Sequence, residues 1–321
     1  MWYGKMYFSE KREFFQYDAA GTQGLPSVSH ELPFLESLLS FLELDCEELA
    51  PTLRQICEDW GRLITEDDHQ AGTSAMMELG QLKQRHIYLE LLYARWYDRF
   101  SRVGVLGDRG SEEDRQMLDE LRRLPEQLPL FQKQIQRFFE LVLDVDSAGR
   151  APQQQASRNY LYDAPKDPEL FVFQPIPLSF EPVEPGRCSP VLYSGSIRDM
   201  IDYSLRNCVE RGITVRRCKN CGRWFPQTGR VSAEYCERPI ARGQQTCREM
   251  GAFQQWTKKQ SDDPVFKAYR KEYKRRFAWI KAGRVTDTEF YDWSKQAREK
   301  KAECDSGTIS LEEFTAWLKH S

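Results

Sequence analysis

Four cysteines fall within thirty residues: Cys218, Cys221, Cys236 and Cys247, spaced C-x2-C-x14-C-x10-C. A two-residue gap lets one tight turn present two thiolates to a single ion, and Zn²⁺ takes four such soft ligands in a tetrahedron. Gly222, directly after the second cysteine, supplies the permissive backbone that such a turn needs. Arg216, Arg217, Lys219 and Arg223 surround the pair, and positive charge favours thiolate over thiol. Four thiolates close a coordination sphere, whereas a catalytic zinc keeps one position for water. No histidine lies between His86 and His320 to replace a thiolate. The expected cofactor is therefore structural Zn²⁺, lending folding free energy to a segment too small to bury a core of its own. A redox C-x2-C pair and unrelated buried thiols are the competing readings. The alternating strand–helix pattern of a thioredoxin unit is absent around the motif.

The other chemistry-bearing residues do not converge in sequence. There is no Ser/His/Asp arrangement, Walker A loop, GxGxxG after a strand or HExxH. His30, His69, His86 and His320 are scattered. No residue is assigned a catalytic role, no small-molecule substrate is identified, and an enzyme is not expected. Charge is more informative. The net −3 conceals a block over residues 214–284 with 18 basic and 6 acidic side chains, against 23 and 35 over residues 1–213. Such a block favours polyanions. The expected phosphate contacts are Arg216, Arg217, Lys219, Arg223 and Arg230, with Lys271, Lys274 and Arg275 on a following helix. The expected function is a zinc-stabilised nucleic-acid-binding protein, a candidate bacterial regulator. The alternative is a protein-interaction adaptor with a purely structural zinc, and the bland reading is that the basic block docks on the chain's own acidic half. Nine cysteines, an odd number with only two in the first half, fit a reducing compartment and hence the cytoplasm. No apolar run approaches the roughly 18 residues of a membrane span. The charged N-terminal stretch does not read as a secretory signal, and no membrane partner is expected.

The elements that must position these residues read as mainly α. An acidic, mostly helical domain is expected over 1–150, where MWYGKMYF alone suggests a strand. Leu35, Leu38, Leu39 and Leu42 recur at helical steps. Pro51 is expected to open a helix carrying Leu53, Ile56, Cys57 and Trp60 on one face. Ser74 is expected to cap a long helix over 74–103, Ser111 the next, and a further helix is expected over 126–143. Residues 151–195 hold eight prolines and read as an extended linker or edge strand. Residues 196–321 form the last expected domain: a Ser196-capped helix ended by Gly212, the strand ITVRRC, a zinc-knuckle and hairpin module, and a helical tail. In that tail, Asp263 and Pro264 start a helix on which Tyr269, Tyr273 and Phe277 are expected to be buried.

The tail also contains a two-copy repeat with a 24-residue period, GRVTDTEFYDW at 283–293 and GTISLEEFTAW at 307–317. Gly283 and Gly307 are expected to end helices. Thr286 and Ser310 would be N-caps completed by Glu289 and Glu313 as capping boxes. Phe290 with Trp293, and Phe314 with Trp317, would face the core. An EF-hand reading of the second copy fails, because Ala302, Cys304 and Ser306 stand where carboxylate ligands belong.

The segment from Ser196 onward carries IRDMIDYSL, RRCKNCGRWF, EYCERP, TCREMGAF, YRKEYKRRFAWIKAG and the two EF-x-x-W repeats. In these motifs it resembles an uncharacterised bacterial family, chiefly from Firmicutes, to which no activity is attached. CKNCGRWF followed by YC and TCRE is also similar to treble-clef and ribbon-type zinc fingers. That resemblance implies a knuckle, a hairpin and a helix beginning at the last ligand, and many such fingers bind nucleic acid. The ARGQQT insertion, which sets the last two cysteines ten residues apart, departs from the usual treble-clef spacing of two.

Overall fold

The computed structural model describes residues 4–18, 27–106, 110–146, 150–159, 167, 169–230, 232–240, 245–251, 253 and 263–321. The chain divides into two units, Met1–Arg217 with Arg223–Ala233, and Cys218–Gly222 with Glu234–Ser321.

The first unit is mainly helical but is built on a sheet. Strands β1 (Gly4–Ser9), β2 (Arg12–Asp18), β3 (Ser27–Pro33), β4 (Leu178–Glu184) and β5 (Arg187–Tyr193) pair antiparallel in the order β3-β2-β1-β5-β4. The register sets Phe8 opposite Glu13, Met6 opposite Phe15, and Phe15 opposite His30. Met6 and Phe8 are core residues, so Glu13, Tyr17 and His30 share their inward face. An acid, a phenol and an imidazole at inward positions break the apolar/polar alternation. That is why the sequence suggested only the first of the three strands before Phe34, and why the mostly helical N-terminal domain turns out to pack its helices on a five-stranded sheet. The proline-rich stretch expected to separate two domains supplies β4 and β5. Proline-bearing β4 lies at the sheet edge, where a missing donor costs least.

Helices α1 (Glu36–Phe41), α2 (Cys46–Glu66), α3 (His69–Leu82), α4 (Ile87–Leu106) and α5 (Glu112–Phe138) cover the inward face, followed by a π-helical turn at Phe139–Leu143. Leu53, Ile56, Cys57 and Trp60 are buried on one face of α2 as expected. Trp60 meets Trp96 edge-on with ring centroids 4.5 Å apart. Pro51 does not start α2 but lies inside it, because Asp45 caps the helix earlier, accepting the Glu48 N–H at 3.0 Å. The single helix expected from Ser74 is two helices. Asp68 caps the first, and His86 starts the second by accepting the Tyr88 N–H on Nδ1 at 3.1 Å. Ser111 caps α5 with Asp114 in a capping box, and α5 runs through Pro125 and Pro129. Burial of Leu121, Leu124, Pro125 and Leu128 along one stripe offsets the missing backbone donors. Further along lie α6 (Pro152–Arg158), α7 (Ile197–Glu210) and the two-stranded ribbon β6 (Val215–Arg217) and β7 (Trp224–Pro226). Gly212 follows α7 in the left-handed region (φ 63°).

In the second unit, α8 (Pro264–Lys281), α9 (Asp287–Asp305) and α10 (Leu311–His320) enclose a small core of Phe290, Trp293, Ala297, Phe314 and Leu318. Asp263 caps α8. Thr286 with Glu289 and Ser310 with Glu313 form complete capping boxes. Gly283 and Gly307 take positive φ. The repeat is therefore a start-of-helix device used twice. Among the described residues no helix is long and apolar enough to cross a membrane.

Candidate metal centre

The sulfur cluster is assembled from three short pieces of the second unit. The turn between β6 and β7 carries Cys218 and Cys221. It closes with the Gly222 N–H donating to the Cys218 carbonyl at 2.8 Å, and Gly222 has φ 74°, a conformation that glycine adopts without strain. The Lys219 N–H donates to the Glu234 carbonyl at 3.0 Å, which ties this turn to the segment leading into Cys236. Chain segments 238–240 and 245–247 then face each other. The Cys247 N–H donates to Arg238 O and the Ile240 N–H to Gln245 O, both at 3.0 Å. Cys247 opens a helical turn capped by Thr246, which accepts the Glu249 N–H while the Glu249 carboxylate accepts the Thr246 N–H. The last cysteine thus sits at the electropositive start of a helix, where negative charge is favoured.

All four Sγ atoms lie within 4.8 Å of one another. Cys221 and Cys236 are 3.7 Å apart. A tetrahedron with bonds of about 2.3 Å requires sulfur pairs near 3.8 Å, so the Cys221–Cys236 pair already has the separation that one shared ion demands. Cys218, Cys236 and Cys247 are buried and Cys221 is exposed. The Cys218 sulfur accepts the Cys236 N–H at 3.4 Å, and the Cys247 sulfur accepts Asn220 Nδ2 at 3.3 Å. Burial pushes the Cys218 thiol up, but N–H groups of Cys236, Cys221 and Asn220 outweigh it and bring it down to about 7. Burial and the neighbouring thiols Cys218, Cys221 and Cys247 hold Cys236 up. Crowded thiols of opposite tendency are what a cation would resolve by taking all four as thiolates. Two supporting contacts carried no sequence signal as ligands: Asn220, inside the C-x2-C, and Gly251. A Cβ on Gly251 would lie 2.4 Å from the Tyr235 ring.

The expected phosphate contacts do not form one set. Arg216 makes a two-pronged pair with Asp146 at 2.8 and 2.9 Å and also donates to Ala233 O. Arg217 pairs with Glu140 at 3.1 Å and lies over Trp224. Arg223 pairs with Glu43 at 3.1 Å, and Lys219 pairs with Glu234 at 2.6 Å. The three arginines use acids of the chain's first half, so the docking alternative describes them. Arg230 is exposed. On α8, Lys271 and Lys274 are exposed, while Arg275 pairs with Glu272 at 2.6 Å. Tyr269 and Tyr273 are half-buried against the small core. Phe277, expected to be buried, is 48% exposed: its ring lies 5.7 Å from that of Phe290, but the core-facing positions of α8 are taken by Tyr269, Tyr273 and Ile280.

Elsewhere Tyr17 and His30 share the carboxylate of Glu90, at 2.5 and 2.8 Å. Separations of 60 and 73 residues hid this cluster from sequence reading.

Two paired cysteine donors in a turn, one leading into the first of two facing segments and one at a helix start define a candidate four-thiolate metal module. A family model described as a family of unknown function (DUF6076) matches residues 191–318, which include all four cysteines and both repeats. Neither the curated proteins nor the solved structures yield a match to the chain.

Proposed function

We propose that the four cysteines hold one structural Zn²⁺ and that the module presents α8 to nucleic acid. Four soft donors within 4.8 Å of one another support zinc over hard cations. A closed sphere leaves no position for substrate, so the proposed role is binding rather than catalysis, in a reducing cytoplasm where the thiols stay available. The observation that carries the nucleic-acid reading is a stripe along α8. Lys267, Arg270, Lys271, Lys274 and Lys281 are exposed and have no carboxylate partner among the described residues. The first four recur at three- and four-residue steps and Lys281 follows Lys274 two turns on, so the set extends over about 21 Å of one helix face. The interface is thus moved from the C-x2-C segment, whose cations are spent on ion pairs, to the helix.

Salt-dependent binding of a labelled oligonucleotide tests this. Lys267→Gln, Lys271→Gln and Lys274→Gln together should weaken binding to all sequences alike and flatten the salt slope by about 0.7–0.9 per lost contact. Exposed charges contribute little to stability, so the melting temperature should hold. No binding at roughly 50 mM salt, where phosphate contacts are strong, would refute the reading. The adaptor alternative is favoured by one feature, the β4 side chains Leu178 and Phe180, which are 48% and 72% exposed on one face. A stoichiometric protein partner recovered without nuclease sensitivity would support that alternative.

A further inference from the structure

Two large aromatic side chains of the second unit are exposed, one on α8 among the stripe lysines and one on α9. Phe277 is 48% exposed and Tyr291 is 65% exposed. Isolated exposed aromatics are ordinary on a protein surface. These two share a support. Each ring lies 5.7 Å from that of Phe290, which is 2% exposed and fixed in the small core. Phe277 is also parallel to Tyr273, with centroids 6.5 Å apart and planes 6° from each other. The rings are therefore braced from beneath while a large part of each stays open to solvent. Lys274 and Lys281 flank Phe277 at i−3 and i+4 on α8, and exposed Lys295 follows Tyr291 by one turn on α9.

Resting on the nucleic-acid reading above, we infer that this face of α8 and α9 takes single-stranded nucleic acid, its bases stacking on Phe277 and Tyr291 while the lysines hold the phosphates. Unstacked bases have free π-faces and accept rigid aromatic partners regardless of sequence. A duplex buries those faces and offers only phosphates to the lysines, so the rings would add nothing to its binding. The charge complementarity selects a polyanion, and the two braced rings select a single strand from among polyanions.

The test is fluorescence anisotropy of the full chain with oligo-dT, oligo-rU and a DNA duplex of equal length. Single strands should bind more tightly than the duplex, and the oligo-dT and oligo-rU arms separate DNA from RNA. Phe277→Ala and Tyr291→Ala should each weaken single-strand binding at least about fivefold, leaving the duplex affinity and the salt slope unchanged. Phe277→Leu keeps the apolar contact with Phe290 but removes the π-face; it should show the same loss if Phe277→Ala fails to fold. Tyr291→Phe should restore wild-type binding. Tighter binding to the duplex, or alanine and leucine variants equal to wild type, would overturn the inference and leave the phosphate-binding reading standing. Absence of binding to all three probes would overturn both.

Discussion

At the scale of single residues, the inward-facing polar groups of the sheet set a pH dependence. Glu13 is fully buried. Its Oε1 accepts the Ser37 N–H at 2.6 Å, and its Oε2 has no partner. Burial pushes its carboxyl from the ordinary 4.5 up to about 8. Across that window the folded chain keeps a proton that the unfolded chain releases, so stability falls as pH rises. His86 acts in the opposite sense: burial pulls it from 6.5 down to about 4, and stability falls as pH drops through that range. The two oppose each other in mildly acidic solution, and above the ordinary imidazole value Glu13 acts without that opposition. Chemical denaturation should therefore show wild-type stability falling by up to about 2 kcal/mol for each 1.5 pH units above 6.5, as far as pH 8. Glu13→Gln, close in shape to the protonated acid, should abolish that slope. An unchanged slope in the variant would remove Glu13 as its source.

At the scale of elements, the second unit is held by local devices because its core is small. Thr286 and Ser310 each cap a helix and are answered by a glutamate three residues on, and both glutamates are held below the usual carboxylate range by those N–H donors. The metal module uses the same device at Thr246 and Glu249. In that module Tyr235 lies directly on Gly251, with only 2.4 Å to the place a methyl would occupy. Gly251→Ala must push the ring away and disturb the chain next to Cys236. Zinc affinity, measured by competition with a chromogenic chelator, should fall by at least about tenfold, in line with a loss of supporting contacts around a metal site. Wild-type affinity in the variant would show that the ring yields freely.

At the scale of the whole molecule, the two units draw stability from different sources. The first buries a large aromatic and aliphatic core around Phe8, Phe15, Trp60 and Phe138. The cysteine module has no core of that size, and bound metal would supply the deficit, on the order of 10 kcal/mol in small zinc peptides. Cys221→Ser, or removal of zinc by a chelator, should open residues 218–251 to proteolysis while the first unit resists digestion. Uniform digestion along the chain would show that the first unit also relies on the metal.

What could be read from the linear sequence was chemistry written at short range. The convergence of the four cysteines, the glycine after the C-x2-C, the helix beginning at Cys247 and both copies of the capping box depend on spacings of fifteen residues or fewer, or on one motif type repeated. Such spacings constrain backbone geometry directly. Tertiary structure alone decided the partners of the cations and the faces of the strands. Arg216, Arg217 and Arg223 could be seen as basic, but their carboxylates lie 70 or more residues away, at Asp146, Glu140 and Glu43. Composition cannot tell a charge spent on an ion pair from one left for a ligand. Strands β2 and β3 were obscured for a related reason. Glu13, Tyr17 and His30 are inward residues whose polarity is satisfied or neutralised only by Ser37 and Glu90 from elements that pack on the sheet. Long-range packing therefore made a polar pattern compatible with a buried face, and it left Lys267, Lys271 and Lys274 among the exposed charges without a carboxylate partner among the described residues.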